Sequence, residues 1–513
     1  MTAQADIGRR KWWALGALAL SLMTVGLDLT ILNVALPTLA TELDASTGQL
    51  QWFADAYNLV LAATLLPAGL LGDRFGRKRM LLIALSLFGA ASLACSFADT
   101  SGELIVGRAL LGLGAAALIP LSMSILPVLF TPAERPRALT IWVTANSLGI
   151  PLGPIVGGWL LDNYRWGSVF LINVPVVLIG LVAIAVLLPE SRDPRRPRID
   201  VPGVITSSLG LVGLTYGVIQ GGENGWGEPS TLLTLAVGIA SLGAFALRQL
   251  REGRRPGGQP LVDLALFRSP SFTWGGVLAT LSTFAMFGVL FAMPQYLHAV
   301  IGADALSTGL RLLPIIAGLL VGAQVSDRIA PRVGPAVTVA IGFALLAGGL
   351  LTGATTEIDS TYGFAAAWMT VLGAGLGFAL PAAMDAAIGA LSPERRGVGS
   401  ALLMAMRQVG GTIGVAVLGS VLASGYRDAL GDAAPDAARE SASAGAALAH
   451  QLGSPSLLAS VQGAFIEAMD AMLWVCGGVA VLGAVLALRF LPRRRAASVP
   501  RAETAESVHE LAA

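Results

Sequence analysis

Six ionisable side chains fall inside long apolar segments of this sequence. They are Asp28, Asp55, Arg108, Arg311, Asp385 and Arg407. A charged side chain at the centre of a membrane helix costs about 2.5–3.5 kcal/mol on insertion scales, so residues of this kind are candidates for function. A buried carboxyl group can take up and release a proton, and a guanidinium can serve as its counter-charge. These residue types therefore indicate proton exchange, or the binding of a charged group, inside a membrane.

Three of these residues are predicted to lie at one depth. At a rise of about 1.5 Å per residue, Asp28, Asp55 and Arg108 fall within roughly 6 Å of one level, in the outer part of the first helices. Two carboxyl groups and one guanidinium at one level would make a proton site. Structural alternatives stay open: Asp28 could serve packing alone by pairing with Asn33 or Arg108. Asp55 could instead be exposed at the membrane surface.

Asp385 and Arg407 are predicted to form a second pair. Both lie about eight to ten residues from the same end of their helices, and pairing would reduce the cost of burying each charge. A structural role and a coupling role are equally open for this pair.

The composition identifies the apolar segments as membrane spans. Of the 513 residues, 55% are hydrophobic and 13% are charged, about half the charged fraction of a soluble protein. Apolar runs of about 20 residues recur along the chain, the length that a helix needs to cross a bilayer. The first run is too long for a secretory signal. The sequence therefore predicts an all-α polytopic membrane protein, with Cys95 and Cys476 inside spans and no structural disulfide.

Fourteen spans are predicted. They cover residues 13–36, 49–71, 80–98, 103–126, 137–160, 167–188, 201–220, 230–250, 272–294, 307–326, 333–353, 362–385, 397–422 and 467–490. Polar, breaker-rich linkers at 189–198 and 251–260 divide the chain into six, two and six spans. The predicted domains are an N-terminal six-helix bundle (1–190), two linker membrane helices with cytoplasmic flanks (191–260), a C-terminal six-helix bundle with an external loop at 423–465 (261–495) and a cytoplasmic tail (496–513).

The distribution of cations predicts the orientation. The loops on the side of the termini hold 27 of the 33 Lys and Arg residues, whereas the opposite loops hold only Arg165, Arg427 and Arg439. Because cytoplasmic loops are enriched in Lys and Arg, both termini are expected in the cytoplasm, which requires an even number of spans. Twelve is the alternative count, but it would leave one of the two middle spans outside the membrane.

A dense run of charges between the second and third predicted spans resembles a known family signature. The run reads Gly72-Asp73-Arg74-Phe75-Gly76-Arg77-Lys78-Arg79. It resembles the loop G-D-R-x-G-R-[KR]-[KR] between helices 2 and 3 of the major facilitator superfamily. Because such a cluster of cations cannot lie in hydrocarbon, the run is expected to be a short cytoplasmic turn.

Three further motifs resemble the fourteen-spanner drug:proton antiporter branch of that superfamily. The helix 1 motif of that branch resembles the stretch from Asp28 to Pro37. The helix 4 motif R-x-x-x-G-x-G-x-A resembles the set Arg108, Gly112, Gly114 and Ala116. The helix 5 antiporter motif G-x-x-x-G-P-x-x-G-G resembles the set Gly149, Gly153, Pro154, Gly157 and Gly158. The resemblance implies the major facilitator fold, with two six-helix bundles and two extra helices.

Two of these motifs are expected to take part in conformational changes. In the charged loop, Gly72 and Gly76 serve the tight turn, whereas Asp73, Arg74 and Arg77 are expected to form a gate. Asp73 would pair with the neighbouring bundle in one conformation and release it in the other. In helix 5, glycines four residues apart lie on one face, so a partner helix can approach closely. That face is expected to be a hinge or a sliding contact, with ordinary tight packing as the alternative.

Eight side chains within the spans are candidates for a substrate cavity. They are Asn33, Tyr57, Asn58, Asn146, Phe287, Phe291, Gln295 and Met404. Aromatic residues and Met in spans more often pack or face lipid, so packing is the alternative for several of them. Some members of the resembled branch carry an acid near position 404, and Met404 weakens the expectation of a preference for polyvalent cations.

The resemblance implies proton-coupled secondary active efflux, or antiport, of hydrophobic drugs or antibiotics across the cytoplasmic membrane by alternating access. The expected partners are protons, membrane lipids and small hydrophobic substrates, cationic ones included. The protein is expected to be a monomer that needs no cofactor or metal and binds no nucleic acid. Dedicated export of a single endogenous metabolite or self-made antibiotic is the alternative.

Two other classes of protein are disfavoured. The histidines of the sequence, His298, His450 and His509, lie in loops or in the tail, and no nucleophile–base spacing appears in the spans, which argues against a membrane enzyme. The sequence has no G-x-x-x-x-G-K-[ST], which argues against ATP-driven pumping.

Overall fold

The computed structural model describes residues 2–131, 133–192, 200–255, 258, 260–392 and 395–492, and within these ranges it contains α-helices, one 3₁₀ helix and no strand. The first half contains α1 Thr2–Glu42, α2 Thr47–Phe75, α3 Arg77–Ser96, α4 Ser101–Leu129, α5 Arg135–Asn163, α6 Ser168–Leu171 and α7 Asn173–Leu187. A hairpin follows, formed by α8 Val201–Asn224 and α9 Pro229–Arg254. The second half contains the 3₁₀ helix Leu264–Arg268 and the helices α10 Pro270–Ala299, α11 Ala305–Arg311, α12 Leu313–Val333, α13 Pro335–Gly353, α14 Tyr362–Gly389, α15 Arg396–Leu430, α16 Asp436–Glu440, α17 Ala442–Gln451 and α18 Pro455–Phe490.

The predicted membrane spans appear as helices. In the described ranges, 12 helical segments are long and apolar enough to cross a membrane, and the bent helix α2 makes a thirteenth. Its two parts, Thr47–Leu65 and Pro67–Phe75, meet at 53°, since proline within a helix removes one backbone hydrogen bond. Helix α5, with 29 residues, occupies the position of the fifth predicted span. The all-α polytopic membrane fold is confirmed; the count of fourteen spans agrees with it and stays a prediction.

Two predicted spans are each broken into a short and a long helix. The span predicted at 167–188 consists of α6 and α7, which meet at Ile172. The span predicted at 307–326 consists of α11 and α12, which meet at Leu312. A proline lies just after each break, at Pro175 and Pro314, and cannot donate a backbone hydrogen bond to the preceding turn. Apolar length alone does not reveal such breaks.

The last two long helices extend well beyond their apolar segments. Helix α15 continues to Leu430 and α18 begins at Pro455, so the connection between them is shorter than the predicted external loop at 423–465. The short helices α16 and α17 lie within this connection. Tyr426 fastens it to α15, because its hydroxyl donates to the carbonyl of Ala438 at 2.8 Å.

Each half packs around a few helix pairs with close backbones. In the first half α1 packs along α5, and α4 packs between α2 and α3. In the second half α14 packs between α12 and α13, and α10 packs along α15. Glycines lie at many of these crossings, as at Gly318 and Gly373, where an added Cβ would overlap backbone of the facing helix. Small residues of this kind allow membrane helices to approach each other closely.

The hairpin of α8 and α9 covers the seam between the halves. Helix α8 contacts α2 of the first half and α15 of the second half. On the α15 side, Ser420 Oγ donates to the carbonyl of Val218 at 3.0 Å, and Arg427 Nη1 donates to the carbonyl of Glu223 at 2.7 Å. On the α2 side, Ser46 Oγ donates to Glu223 Oε1 at 2.9 Å. The polar attachment of the hairpin is therefore stronger toward the second half.

The other end of the hairpin is joined by Asp200. Its carboxylate accepts hydrogen bonds from Arg248 Nε at 2.8 Å, from Gln249 Nε2 at 2.8 Å and from the Gly203 amide at 3.0 Å. Burial alone would raise the pKa of Asp200, but these hydrogen bonds outweigh it and lower the pKa. Gln249 Oε1 then accepts from the Val262 amide at 3.2 Å. The network ties the hairpin to the start of the second half.

The two halves meet at the end of the molecule opposite the termini, which we call the distal end; the other is the terminal end. The hydrogen bonds that join described residues of the two halves lie there. Asp162 at the end of α5 accepts from the Ala305 and Leu306 amides, at 3.2 and 3.1 Å. Thr47 at the start of α2 donates to the carbonyl of Glu440 at 2.9 Å. Helix α17 adds contacts to α1 as well as to α10 and α18. The distal end is thus closed.

Candidate functional site

Asp28 of α1 and Arg108 of α4 form a buried ion pair. Arg108 Nη1 lies 2.6 Å from Asp28 Oδ2, and the two side chains are 2% and 0% exposed. Helix α2 supplies the rest of the surroundings: Arg108 Nε donates to the Phe53 carbonyl at 3.0 Å, and its guanidinium carbon lies 4.5 Å from the centroid of the Tyr57 ring. The structure therefore brings three helices together around one guanidinium, as the depth estimate predicts for Asp28 and Arg108.

The Asp28 carboxylate is only half satisfied. Its Oδ1 is buried and has no hydrogen-bond partner among the described residues. Removing one member of a buried ion pair typically costs about 3–5 kcal/mol, because the other charge is left uncompensated. The pair is thus tightly coupled, and it engages one of the two carboxylate oxygens of Asp28.

Glycines of α5 hold α1 against the pair. An added Cβ at Gly149 would lie 2.5 Å from the Met23 carbonyl oxygen, and one at Gly153 would lie 3.0 Å from the Leu27 carbonyl oxygen. One at Gly157 would lie 2.6 Å from a side-chain carbon of Ile31. These three glycines therefore flank the turns of α1 that carry Asp28. The one-face arrangement predicted from their spacing is present.

The remaining motif residues of α5 face the second half. An added Cβ at Gly158 would lie 2.6 Å from the Ala305 carbonyl oxygen, and the Pro154 carbonyl lies directly against Gly309. Helix α5 thus contacts α1 on one face and α11 on another, and so connects α1 to the contact between the halves. The helix continues through Pro151 and Pro154 without a break.

Asp55 is not part of the ion pair, although it was predicted at the same depth. It is fully buried, and neither of its carboxyl oxygens has a hydrogen-bond partner among the described residues. Phe53 and Tyr57, which contact Arg108, lie two residues to either side and so point to another face of α2. The alternative of exposure at the membrane surface does not hold.

Asp385 and Arg407 do not form an ion pair among the described residues. Arg407 Nη1 lies 3.5 Å from Met384 Sδ, one residue before Asp385. Consecutive residues of a helix point about 100° apart, so the Asp385 side chain leaves α14 in a different direction from that of Met384. Asp385 is exposed and lines a cavity of about 390 Å³ at the terminal end, together with Arg396 and Pro492. Equal depth was not enough to predict the pairing.

Arg311 has a structural position. Its guanidinium carbon lies 5.2 Å from the centroid of the Tyr362 ring, and the Tyr362 hydroxyl donates to the Arg311 carbonyl at 3.2 Å. The residue therefore joins α11 to the start of α14 at the distal end.

The charged loop forms a turn stabilised within the first half. Gly76 adopts φ of 113° between α2 and α3, a backbone conformation that favours glycine. Asp73 accepts from Arg77 Nε at 2.9 Å and from Nη2 at 2.8 Å, and Arg77 Nη1 donates to the Ser124 carbonyl at 3.2 Å. The guanidinium carbon of Arg74 lies 5.5 Å from the centroid of its neighbour, Phe75. In this conformation the Asp73–Arg77 ion pair lies within the first half.

Glu190 is a part of this surface that the sequence analysis missed. Its carboxylate accepts from the Lys78 and Arg79 amides, at 3.1 and 3.2 Å, at the start of α3. An added Cβ at Gly76 would lie 2.7 Å from Glu190 Oε1. Acids stabilise helix N-termini, but the distance in sequence hid this partner.

The N-terminal segment joins the same face of the molecule. Lys11 Nζ lies 2.6 Å from Glu134 Oε1. The hydrogen bond from Lys11 lowers the pKa of Glu134.

The predicted cavity residues have varied positions. Tyr57 packs under Arg108, while Asn33, Asn58 and Gln295 each donate to a carbonyl one turn back in their own helix, at 3.0–3.3 Å. Three apolar members differ in exposure: Phe291 is fully buried, and Phe287 and Met404 are half-buried. The side chain of Asn146 lies outside the described residues.

Comparisons with known proteins agree over most of the chain. A model of the Major Facilitator Superfamily matches residues 18–415. The tetracenomycin C resistance and export protein of Streptomyces glaucescens is 34% identical and aligns over 95% of this chain and 93% of its own length. The multidrug efflux pump LfrA of Mycolicibacterium smegmatis is 34% identical over 82% of each chain. The methyl viologen resistance protein SmvA of Salmonella typhimurium is 32% identical over 91% of this chain and 94% of its own length.

Solved structures support the fold. A bacterial homolog of the human lysosomal transporter Spinster, inward-facing and unoccupied, superposes with a TM-score of 0.65 at 17% identity, covering 94% of this chain and 98% of that one. A D-xylose-proton symporter superposes with a TM-score of 0.63 at 15% identity, covering 94% and 98%.

The close packing of α5 on α1 can be tested with one methyl group. We expect Gly153→Ala to lower the free energy of unfolding by about 1–3 kcal/mol, since overpacking a tight contact forces neighbouring groups apart. Thermal unfolding in detergent measures the effect. Gly348→Ala is the matched control, because an added Cβ there meets no atom within 4 Å. Equal melting temperatures for the two variants would contradict the tight contact.

Proposed function

The chain belongs to the major facilitator superfamily, and we propose that it exports hydrophobic antibiotics or other toxic compounds across the cell membrane by proton-coupled antiport. The relatives that align over most of its length are named for antibiotic export, multidrug efflux or resistance. Their similarity extends over both halves and the hairpin, so it supports the same overall activity rather than a shared segment.

The observation that carries the proton-coupling part of the proposal is the half-satisfied Asp28–Arg108 pair. A proton on Asp28 Oδ1 would neutralise the acid and weaken its attraction to Arg108. The guanidinium would keep its contacts with the Phe53 carbonyl and the Tyr57 ring. Helix α1 would then be less strongly held to α4, and it lies on the bare glycine face of α5. A change of charge on one acid thus becomes a shift of one helix against another.

The charged loop is proposed to act as the opposing gate. In the present conformation the distal end is closed and Asp73 pairs with Arg77. When the terminal end closes, Asp73, Arg74 and Arg77 would meet the second half, with Gly72 and Gly76 allowing the turn. Asp385 and Arg407 would line the path on the other half, close to the same end.

The coupling role of Asp28 can be tested by removing its charge. Asp28→Asn should abolish efflux driven by a pH gradient, because the amide cannot exchange a proton. It should also lower stability by about 3–5 kcal/mol, since Arg108 is left uncompensated. The measurement is substrate-dependent proton movement in proteoliposomes.

Two further variants separate coupling from folding. Asp28→Asn combined with Arg108→Gln removes both charges, so it should recover stability while coupling stays lost. Asp99→Asn changes an exposed acid at the distal end and should leave efflux unchanged. Proton movement at the wild-type level in Asp28→Asn would refute the assignment.

The orientation is proposed to have the termini in the cytoplasm, from the excess of cations at the terminal end. Cysteines at Gly227 and Gly253 report on the two ends of α9, and an added Cβ at either position meets no atom within 4 Å. In intact cells, Gly227→Cys should react with an impermeant thiol reagent and Gly253→Cys should not. The reverse pattern would invert the topology.

Export of one self-made antibiotic is the second candidate, favoured by the near full-length similarity to a protein named for tetracenomycin C export. Growth of a hypersensitive host on a panel of dyes, biocides and antibiotics separates the two. Multidrug efflux predicts protection against several unrelated compounds, and a dedicated exporter predicts protection against one chemical class. Asp28→Asn is the inactive control in each assay.

A further inference from the structure

Asp55 is a second buried acid whose position differs from that of Asp28. It is fully buried, both of its oxygens lack a hydrogen-bond partner among the described residues, and it makes no ion pair there. A buried carboxyl group with neither a hydrogen bond nor an ion pair needs a physical explanation.

Asp55 faces the contact between the two halves. Gln51, one turn earlier on the same face of α2, lies against Gly419 of α15, where an added Cβ would be 2.6 Å from Gln51 Nε2. The two helices run in opposite directions, so the segment of α15 opposite Asp55 is close to Val415 and Ala416, both 1% exposed. The acid is therefore enclosed by the first half on one side and the second half on the other.

The elements packed on α2 supply little charge to this position. Between Arg407 and Arg427, the titratable side chain of α15 is Tyr426, whose hydroxyl donates to the Ala438 carbonyl at the distal end. On α4 and α1, the charged groups Glu103, Arg10, Lys11 and Glu42 lie near the helix ends. Arg108 and Asp28 lie further inside and pair with each other on another face of α2. On α8, the centroid of the Tyr216 ring lies 6.0 Å from that of the Trp52 ring of α2, and Glu223 lies at the distal end and accepts a hydrogen bond from Ser46. On α3 the titratable Cys95 lies against Gly107 of α4.

We propose that Asp55 is a proton-binding site in the distal gate, which closes over the neutral acid and opens when the acid ionises. An ionised carboxylate sealed between α2 and α15 would have neither water nor a counter-charge, which is strongly unfavourable. Separation of α2 from α15 at the distal end would let water reach the group. The proton is then a ligand that binds the closed gate better than the open one, so it shifts the equilibrium toward closure.

This inference rests on the proposed antiport and divides its two acids. Asp28 acts within the first half, through Arg108 and the α1–α5 contact. Asp55 acts between the halves, where its proton links closure of the distal end to acidity on that side. An exporter needs this linkage, because its empty outward-facing state must return by taking up a proton.

The gate can be observed directly with spin labels at the distal end. Labels at Gly102→Cys, at the start of α4, and Thr355→Cys, between α13 and α14, lie on exposed positions of opposite halves. The buried Cys95 and Cys476 are replaced by Ala in this background. Double electron–electron resonance then measures the distance distribution in lipid nanodiscs at acidic and alkaline pH, without substrate.

In the wild-type background the long-distance population should increase at alkaline pH. Asp55→Asn mimics the neutral acid, so it should keep the short distance at every pH. Asp55→Glu keeps a titratable carboxyl group, so it should retain the change of distance with pH. Asp99→Asn, an exposed acid at the same end, should behave as wild type. The assignment would be overturned if Asp55→Asn showed the wild-type change of distance with pH. It would also be overturned if Asp28→Asn, with Asp55 intact, lost that change.

Proton movement keeps this outcome separate from the proposed function. If wild-type protein moves protons on substrate addition while Asp55→Asn still opens with pH, antiport stands and the gate assignment fails. If wild-type protein moves no protons, antiport fails, whatever the gate does.

Discussion

The arrangement of the first half depends on the contact between Asp28 and Arg108. Burying two opposite charges is strongly unfavourable unless they pair closely, and the contact between Asp28 and Arg108 requires α1 and α4 to cross at one height with these residues face to face. Arg108 also needs the Phe53 carbonyl and the Tyr57 ring, which draws α2 to the same point. The positions of three helices follow from the needs of one guanidinium.

Bare backbone is what allows so many helices to reach that point. Gly112 of α4 lies directly against the carbonyl of Tyr57, and Gly149 and Gly153 lie against α1. A side chain at these positions would push the helices apart, and Asp28 and Arg108 could then no longer reach each other. The motif glycines and the motif charges thus serve one geometric requirement, although Gly149 and Gly153 lie far from Asp28 and Arg108 in the sequence.

The sequence predicted accurately how deep a residue lies in the membrane. It predicted poorly which face of a helix the residue occupies. Apolar length and cation distribution located the helices, and depth counting placed Asp28 beside Arg108. The same counting grouped Asp55 with them and paired Asp385 with Arg407, because depth says nothing about which face a residue occupies relative to other helices. Glu190 was missed for a related reason: its partners at the start of α3 are more than 100 residues away.

The hairpin of α8 and α9 makes lipid part of this protein's architecture. Large apolar side chains of α9 point outward, among them Leu233 at 65% exposed and Ile239 at 63% exposed, and α9 packs mainly on α8. Acyl chains therefore complete the outer wall of the seam. A bilayer whose hydrocarbon thickness did not match α9 would tilt the hairpin, and through Ser420 and Arg427 that tilt would reach α15. The thickness of the membrane would therefore influence how the two halves contact each other.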